Sequence, residues 1–206
     1  MLSNEKLHYF DATEQRPVRA DLRYAVTMVR APRIAVDCGC GAGSDIAFLR
    51  SEGFEVHGFD IEQESIKRCQ QRYQSDKQVH LTQASFSSFS YPPCSLMVAD
   101  ASLFFCPPHE FDFVWQRITQ ALVPGGIFCG SFLGPDDTMA GPSYNKDAWW
   151  PDVLTLTDAQ VKTRFQGFEI LSFTEHKLSG VTPDGASHDW HIFSVVAQKR
   201  ANLSLS

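Results

Sequence analysis

The stretch "IAVDCGCGAGSDIAFL", residues 34–49, decides the fold of this chain. It places three glycines and two cysteines within six positions, and an acidic residue, Asp37, stands directly before them. The apolar run at 33–38 indicates a short buried strand, and the periodicity of 44–53 indicates a helix. Because the small residues join a strand to a helix, three interpretations are open: a nucleotide-binding loop, a metal-binding cysteine pair, or a tight turn.

Short apolar runs alternate with longer amphipathic runs along the rest of the chain. They predict helices at 17–31, 62–74, 110–126 and 156–165, strands at 55–61, 79–86, 94–100 and 126–133, and a closing antiparallel hairpin of 168–178 and 190–199. Apolar strands that alternate with helices indicate an α/β fold with a mostly parallel sheet covered on both faces. Such a sheet binds ligands at the carboxyl ends of its strands, so functional residues are expected in the loops that follow strands.

Length and composition narrow the class of protein. The chain has 206 residues, of which 43% are hydrophobic and 20% charged, as in an ordinary globular domain. The net charge is −6 without a Lys/Arg-rich run, so we expect no nucleic-acid partner. The first residues lack the apolar core of a signal peptide, and no apolar run is long enough to cross a bilayer. We therefore expect a cytoplasmic protein with no membrane partner and with reduced cysteines.

The cysteines and the other metal-binding residue types lack the spacing of a metal site. Cys38 and Cys40 are separated by one residue, and the other four cysteines form no second close pair, whereas structural zinc sites combine two such pairs. Asp136 and Asp137 are adjacent acids without further spaced ligands. The histidines singled out in the sequence, His109, His188 and His191, are scattered. The sequence therefore predicts no metal site.

The spacing of the glycines distinguishes between two kinds of nucleotide loop. Gly39, Gly41 and Gly43 give Gly-x-Gly-x-Gly, whereas a dinucleotide loop needs a third glycine where Ser44 stands. Asp37 would also repel an anionic pyrophosphate. S-adenosylmethionine instead carries a sulfonium and an ammonium group, so a carboxylate at the strand end would assist its binding directly or through water.

The motif "VDCGCGAG" resembles the first motif of the class I S-adenosylmethionine-dependent methyltransferases. "LVPGGIF" is similar to the family's turn into its fifth strand, the closing hairpin is similar to its last two strands, and the tail resembles that of the tellurite-resistance methyltransferases. The resemblance implies a Rossmann-like, doubly wound, seven-stranded sheet in three α/β/α layers, with an antiparallel last strand between the fifth and sixth. The single predicted domain, 1–206, has four parts. They are a cap-helix region at 1–31, a cofactor-binding half at 33–133, a substrate-side insertion at 134–157, and a closing helix and hairpin at 158–199.

The resemblance also implies which residues bind S-adenosylmethionine and its product S-adenosylhomocysteine. Asp60, at the end of the second strand, would accept hydrogen bonds from the ribose hydroxyls; the alternative is a cap for the following helix. At the position of Ser85 the family often has an acidic residue that binds the adenine. Phe86, the next residue, would line the adenine face, with packing in the core as an equal alternative. The full predicted set is Asp37, Gly39, Cys40, Gly41, Gly43, Asp60, Ile61, Ser85, Phe86 and Ala101.

The substrate side is less well marked. Asp100, after the fourth strand, is a candidate for a polar catalytic group that faces the acceptor, or else a turn cap. Phe104 either walls the pocket or belongs to the core. Three aromatic residues of the long insertion, Tyr144, Trp149 and Trp150, are further candidates, with packing on the surface as the alternative. Two residues of the N-terminal segment, Tyr9 and Arg19, are also candidates, with tethering of the terminus as the alternative.

These residues predict an enzyme that transfers a methyl group to a small-molecule acceptor by in-line displacement. Positioning and water exclusion supply most of the acceleration, so a general base is not required in every case. The proline signatures of adenine, amide and cytosine methylases are missing from "VADASLFFCPPHEF", which agrees with the charge balance. The alternatives are a non-catalytic S-adenosylmethionine-binding protein and a nicotinamide-dependent oxidoreductase.

Overall fold

The computed structural model describes residues 10–14, 16–30, 32–142, 152–182 and 185–201. Four aromatic residues predicted on the substrate side lie outside these residues: Tyr9, Tyr144, Trp149 and Trp150. Within the described ranges, no helix has both the length and the apolar character that a membrane crossing needs.

Seven strands of the described chain form one sheet in the order β3-β2-β1-β4-β5-β7-β6. The strands are β1 Ile34–Cys38, β2 Glu55–Asp60, β3 Val79–Gln83, β4 Cys94–Ala99, β5 Leu122–Leu133, β6 Phe168–Val181 and β7 Ser187–Lys199. The first five pair in parallel, and β7 runs antiparallel to both β5 and β6. The predicted mostly parallel sheet, with its last strand inserted between the fifth and sixth, is confirmed.

The helices cover both faces of this sheet. They are α1 Ala20–Met28, α2 Ser44–Ser51, α3 Gln63–Arg72, α4 Phe111–Ala121 and α5 Asp158–Arg164. Leu22, Ile46 and Ile66 of the first three helices are buried in one core cluster, together with alternate residues of the strands. Val114 and Val161 of the last two helices are buried in a second cluster on the other face. The central strand β4 is buried along its whole length because both faces of the sheet are covered there.

The predicted helix over 110–126 is wrong at its carboxyl end. The helix α4 ends at Ala121, and Leu122 already begins β5. The pairing of β5 with β4 shifts its register just after Leu122, where Pro124 has no N–H group to donate and Gly125 has a φ of 79°. The Pro-Gly-Gly sequence therefore forms an irregularity at the start of a strand.

The third strand is also shorter than predicted. It ends at Gln83, so Ser85 and Phe86 lie in the turn that follows it. The backbone N–H of Ser85 donates to Ser88 Oγ at 2.9 Å, and the backbone N–H of Ser88 donates to Ser85 Oγ at 3.2 Å. These local hydrogen bonds replace the ladder that a longer strand would need.

Candidate cofactor site

The loop after β1 is held against the end of β2 by its own backbone. The N–H groups of Gly39 and Cys40 both donate to Phe59 O, at 2.8 and 2.9 Å. Gly39, Gly41 and Gly43 have φ values of 71°, 51° and 80°, a region that residues with a side chain avoid.

The three glycines differ in what surrounds them. A Cβ on Gly39 would lie 2.7 Å from Ser102 Cβ, and a Cβ on Gly43 would lie 2.8 Å from Cys69 Sγ. A Cβ on Gly41 would meet no described atom within 4 Å. The first and third glycines are therefore required by close packing of the loop, while Gly41 leaves its backbone open to a ligand.

The carboxylate of Asp60 holds the glycine loop by hydrogen bonds to its backbone. Its Oδ2 accepts a hydrogen bond from Gly41 N and its Oδ1 from Glu62 N, both at 2.9 Å. Burial raises the pKa of Asp60, and these two hydrogen bonds oppose that shift. Glu62 directly precedes α3, so the capping role considered for Asp60 is present. A carboxylate has about four acceptor positions, so both oxygens can accept further hydrogen bonds, and the ribose role stays a prediction.

Asp37 is buried with an unsatisfied acceptor. Its residue is 3% exposed, and its Oδ2 accepts no hydrogen bond from the described residues. Burial, followed by the negative charges of Asp45, Cys69 and Asp60, raises its pKa well above the ordinary value. A buried carboxylate without a partner is costly, and native structures contain few such groups. Asp37 is therefore suited to a ligand that brings a donor or a positive charge.

Arg19 lies just before α1, at the same edge of the sheet, and has buried hydrogen-bond donors without acceptors. Its Nη1 pairs with Asp100 Oδ1, and its Nη2 lies 4.0 Å from Asp45 Oδ2. Its Nε and Nη2 are buried and have no hydrogen-bond partner among the described residues. Asp45 lies close enough to both groups to act electrostatically on Asp37 and to pair with Arg19. Together, the free acceptor and the free donors suit a ligand that carries both charges.

Asp100, the predicted catalytic candidate, is already engaged. Its Oδ2 lies 3.4 Å from Arg16 Nη2, and its Oδ1 accepts from Ser131 Oγ at 2.9 Å as well as from Arg19. A carboxylate that holds two guanidinium groups orients them, so this geometry favours a positioning role. Ala101, the next residue, has a φ of 46°, and its N–H donates to Ser131 Oγ at 2.8 Å. Such a conformation is strained in a non-glycine residue, and strain of this kind is concentrated at functional sites.

Among the residues predicted to contact the adenine or line the pocket, one is exposed to solvent and the others are engaged within the protein. Ile61 is 49% exposed and free to cover a planar ligand. The hydroxyl of Ser85 is bonded within its own turn, and the ring of Phe86 packs edge-on against Phe59 with centroids 5.4 Å apart. Phe104 is 4% exposed and lies in the core. The packing alternatives are thus present for Phe86 and Phe104, and their ligand roles stay predictions.

Comparisons with known proteins give the family context. Residues 35–126 match the family described as a methyltransferase domain. The carboxy-S-adenosyl-L-methionine synthase of Shewanella frigidimarina (strain NCIMB 400) is 31% identical over 98 residues, which are 44% of this chain and 40% of that protein. The same enzyme of Pseudomonas aeruginosa (strain UCBPP-PA14) is 31% identical over 104 residues, 45% of this chain and 42% of that protein. The chain therefore spans less than half the length of the curated relatives it matches.

Solved structures share the fold over nearly the whole chain. TehB from Haemophilus influenzae superposes with a TM-score of 0.76 at 15% identity, over 95% of this chain and 67% of that one. The 1,6-didemethyltoxoflavin-N1-methyltransferase of Burkholderia thailandensis, with its substrate and S-adenosylhomocysteine bound, gives 0.63 at 17% identity, over 98% and 92%. The predicted family resemblance is confirmed. This chain has the fold and the first motif of the S-adenosylmethionine-dependent methyltransferases.

The cofactor prediction is confirmed at the level of this methyltransferase family. The magnesium protoporphyrin IX methyltransferase of Synechocystis PCC 6803, described with S-adenosylmethionine bound, has a TM-score of 0.62 at 15% identity, over 98% of this chain and 86% of that one. At these identities the likeness to each solved structure shows the fold alone. The residues that contact a cofactor in this methyltransferase-like chain are therefore inferred from its own geometry.

A second polar cluster, which we call the β5–β7 clasp, consists of the buried Asp137 and His191, the half-buried His188 and the exposed Asp136. Asp137 Oδ1 accepts from Met139 N at 3.0 Å and lies 3.1 Å from His188 Nε2, while its Oδ2 accepts from His191 N at 2.9 Å. His191 Nδ1 in turn accepts from Asp136 N at 3.1 Å. The clasp holds the start of the predicted insertion against β7. In the sequence these histidines are scattered, because more than fifty positions separate them from the aspartates that they meet in the fold.

Proposed function

We propose that this chain binds S-adenosylmethionine at the carboxyl edge of its sheet and transfers the methyl group to a small-molecule acceptor. One observation carries the proposal: a carboxylate oxygen of Asp37 and two guanidinium nitrogens of Arg19 are buried at one edge without a hydrogen-bond partner in the described part of the chain. The amino-acid end of S-adenosylmethionine supplies one complementary group for each, an ammonium for Asp37 and a carboxylate for Arg19.

The remainder of the cofactor would follow the loop and the end of β2. The adenosine would pass over the open backbone at Gly41, between Gly39, Cys40 and Gly43, with its ribose at Asp60. The exposed Ile61 would cover one face of the adenine, with Ser85, Phe86 and Ala101 as further predicted contacts. A nicotinamide dinucleotide is disfavoured because its pyrophosphate would approach the buried carboxylate of Asp37.

The bound cofactor supplies an electrophilic methyl group on a positively charged sulfur. The residues of the chain would bind the cofactor, orient it toward the acceptor and exclude water. Asp100 fixes Arg16 and Arg19 through its ion pairs, and the buried edge removes the solvent that would compete for them. Alignment of the acceptor with the methyl group then provides the main catalytic effect, because an oriented pair reacts as an effectively unimolecular system.

A second candidate function is the formation of a carboxylated derivative of S-adenosylmethionine. It is favoured by the curated relatives, which are named carboxy-S-adenosyl-L-methionine synthases and match at 28–32% identity. This reaction would use the same cofactor site, but S-adenosylmethionine would be the molecule modified: its methyl group would lose a proton and take up CO₂ released by a carboxylic-acid co-substrate. No S-adenosylhomocysteine would accumulate as its product.

Calorimetry and mass spectrometry separate these functions. We expect the protein to bind S-adenosylmethionine and S-adenosylhomocysteine and not to bind NAD. Incubation with S-adenosylmethionine and fractionated small metabolites should release S-adenosylhomocysteine; a cofactor heavier by a carboxyl group would indicate the second candidate. Binding of NAD in the absence of S-adenosylhomocysteine binding would refute both.

The ribose assignment has its own variant. Asp60→Ala should weaken S-adenosylhomocysteine binding, whereas Asp112→Ala, which changes an exposed aspartate paired with Arg164, should leave it unchanged. Equal affinities of the Asp60→Ala and Asp112→Ala proteins would show that Asp60 serves only the local structure, at Gly41 and at the start of α3.

A further inference from the structure

Three side chains that the proposed function does not use meet on β2 and β3. Glu55 and His57 are two residues apart on β2, so they point to the same face of the sheet, and His80 of β3 lies directly opposite His57 in the parallel register. His57 Nε2 and His80 Nε2 each lie 3.1 Å from Glu55 Oε1. The topology thus brings two imidazole nitrogens and one carboxylate oxygen together, all within 4.8 Å of one another.

The spacing of these atoms fits coordination to one ion. Zinc binds His nitrogen at about 2.0–2.1 Å and carboxylate oxygen at about 2.0–2.2 Å, so two ligand atoms on one tetrahedral ion lie roughly 3.3–3.5 Å apart. The two nitrogen–oxygen distances are 3.1 Å, so a small outward shift of the side chains would match that spacing. Two histidines with one glutamate also form a donor set that zinc proteins use, with a fourth position left for water.

We propose that Glu55, His57 and His80 bind a divalent transition-metal ion of the zinc class. The three side chains form a site that is accessible yet ordered: their exposed fractions are 34% for Glu55, 22% for His57 and 47% for His80. The two imidazole rings stack with centroids 4.5 Å apart and an interplanar angle of 24°, so both Nε2 atoms are aimed at the same carboxylate oxygen. An ion can therefore enter from solvent and find its ligands already arranged.

Imidazole nitrogen and carboxylate oxygen are both ligands that zinc binds, so the three side chains can coordinate an ion through the atoms that already face one another. The simpler alternative is that both rings only donate hydrogen bonds to Glu55, and the experiment below distinguishes the two.

The site lies away from the cofactor edge. Asp60 is three residues further along β2 than His57, about 10 Å at the usual rise of a strand. The strand β3 is at the edge of the sheet, where it pairs with β2 alone among the described strands. The ion would therefore tie an edge strand to its neighbour, and its loss would leave cofactor binding unchanged.

Titration of the tag-free protein with Co²⁺ and Zn²⁺ tests the proposal. We expect one ion per chain and visible absorption from bound Co²⁺ without thiolate charge-transfer bands, since all six cysteines are buried. Loss of a second-shell group already weakens metal binding about 10- to 100-fold, so loss of a ligand in His80→Ala or Glu55→Gln should weaken it by at least about 100-fold. His109→Ala, at a histidine with 81% exposure, is the matched control and should bind as the wild type does.

Several results would overturn the proposal. Unchanged Zn²⁺ affinity in His80→Ala, thiolate bands in the Co²⁺ spectrum, or a His109→Ala protein that loses the ion would each place the metal elsewhere. The absence of Zn²⁺ binding would leave the three side chains as a hydrogen-bonded group. If His80→Ala does not fold, Glu55→Gln, which keeps the side-chain shape, gives the answer. S-adenosylhomocysteine affinity, measured in the same variants, should not change, which keeps this test independent of the proposed function.

Discussion

Two clusters of polar side chains near the carboxyl edge of the sheet, each centred on buried residues, differ in how fully the hydrogen bonds of those residues are satisfied. In the β5–β7 clasp, both carboxylate oxygens of Asp137 accept hydrogen bonds, and both ring nitrogens of His191 have partners. Around the glycine loop, Asp37 keeps a free acceptor and Arg19 keeps free donors within the described residues. Asp137 and His191 are buried, and so is Asp37, so burial alone does not separate a structural cluster from a binding one.

The difference indicates what each cluster does for the protein. A satisfied buried network stabilises the fold, and its cost of desolvation is offset within the chain. An unsatisfied one costs stability and is retained where a ligand completes it. Substitutions in the first cluster should therefore change stability, and substitutions in the second should change affinity.

The largest effect is expected from Asp137→Ala. It would leave His188 Nε2 and the N–H groups of Met139 and His191 without their acceptor. A buried donor left unpaired costs about 1–3 kcal/mol, and the other two donors are part-buried, so the free energy of unfolding should fall by about 3 kcal/mol. Urea denaturation measures this, with calorimetry of S-adenosylhomocysteine binding on the folded variant as the control. A stable Asp137→Ala protein that has lost cofactor binding would reverse the roles of the two clusters.

Asp37→Asn should give the opposite pattern. The amide keeps the shape of the side chain and removes a buried charge, so the free energy of unfolding should stay the same or rise. The affinity for S-adenosylhomocysteine should fall about 10- to 100-fold, because a hydrogen bond to a charged group is worth about 1.5–3 kcal/mol. Parallel urea and calorimetric titrations measure both quantities. A loss of stability with unchanged affinity would show that Asp37 is a structural residue.

Cofactor affinity should also depend on pH through Asp37. Burial and the charges of Asp45, Cys69 and Asp60 raise its pKa, and Arg16 opposes them only in part. As pH falls through this raised value, the carboxyl group becomes neutral and affinity for the ammonium group should decrease, by up to about tenfold per pH unit. Calorimetry across the acidic range measures this, and the dependence should be absent from Asp37→Asn.

The stability of the ligand-free protein has the opposite dependence on pH. Because the folded protein holds the proton of Asp37 more tightly than the unfolded chain does, its contribution is fully present below the ordinary value of 3.8 and is lost as pH rises through the raised pKa. The stability gained in Asp37→Asn should consequently grow with pH. A gain that shrinks as pH rises would contradict the raised pKa.

The smallest effect is expected from Tyr73→Phe. The hydroxyl of Tyr73 donates to Gly43 O at 3.0 Å and thereby ties α3 to the end of the glycine loop. Loss of one such hydrogen bond should lower the free energy of unfolding by about 1 kcal/mol. Thermal denaturation measures it, with Tyr24→Phe on the exposed face of α1 as the control. Equal effects of the two substitutions would show that the bond adds nothing to the loop.

The sequence predicted the parts of the fold that local patterns determine. The order of strands and helices follows from apolar periodicity, and the loop at 39–43 follows from its glycines, which all have a positive φ. The start of β5 was mispredicted because Pro124 and Gly125 resemble a helix end, while their actual conformation depends on pairing with β4.

The contacts of the candidate site depend on positions far apart in the chain. Arg19 meets Asp100, and Asp137 meets His188, only because the fold brings them together. The metal-ligand group that we propose was missed for the same reason, since His80 reaches His57 through the register of two parallel strands. Glu55 and His57 alone are two polar residues at alternate positions of a strand, a pattern that is common in strands and does not indicate a metal site.

The most direct test of the cofactor site compares two ligands that differ in the amino-acid end. S-adenosylhomocysteine carries the ammonium and carboxylate groups, and 5′-methylthioadenosine has the same adenosine and sulfur without them. The account predicts that the wild-type protein binds S-adenosylhomocysteine at least about 100-fold more tightly, since two charge-assisted contacts are worth about 3 kcal/mol or more, and that Asp37→Asn narrows the difference. Equal affinities of the wild-type protein for the two ligands would contradict it.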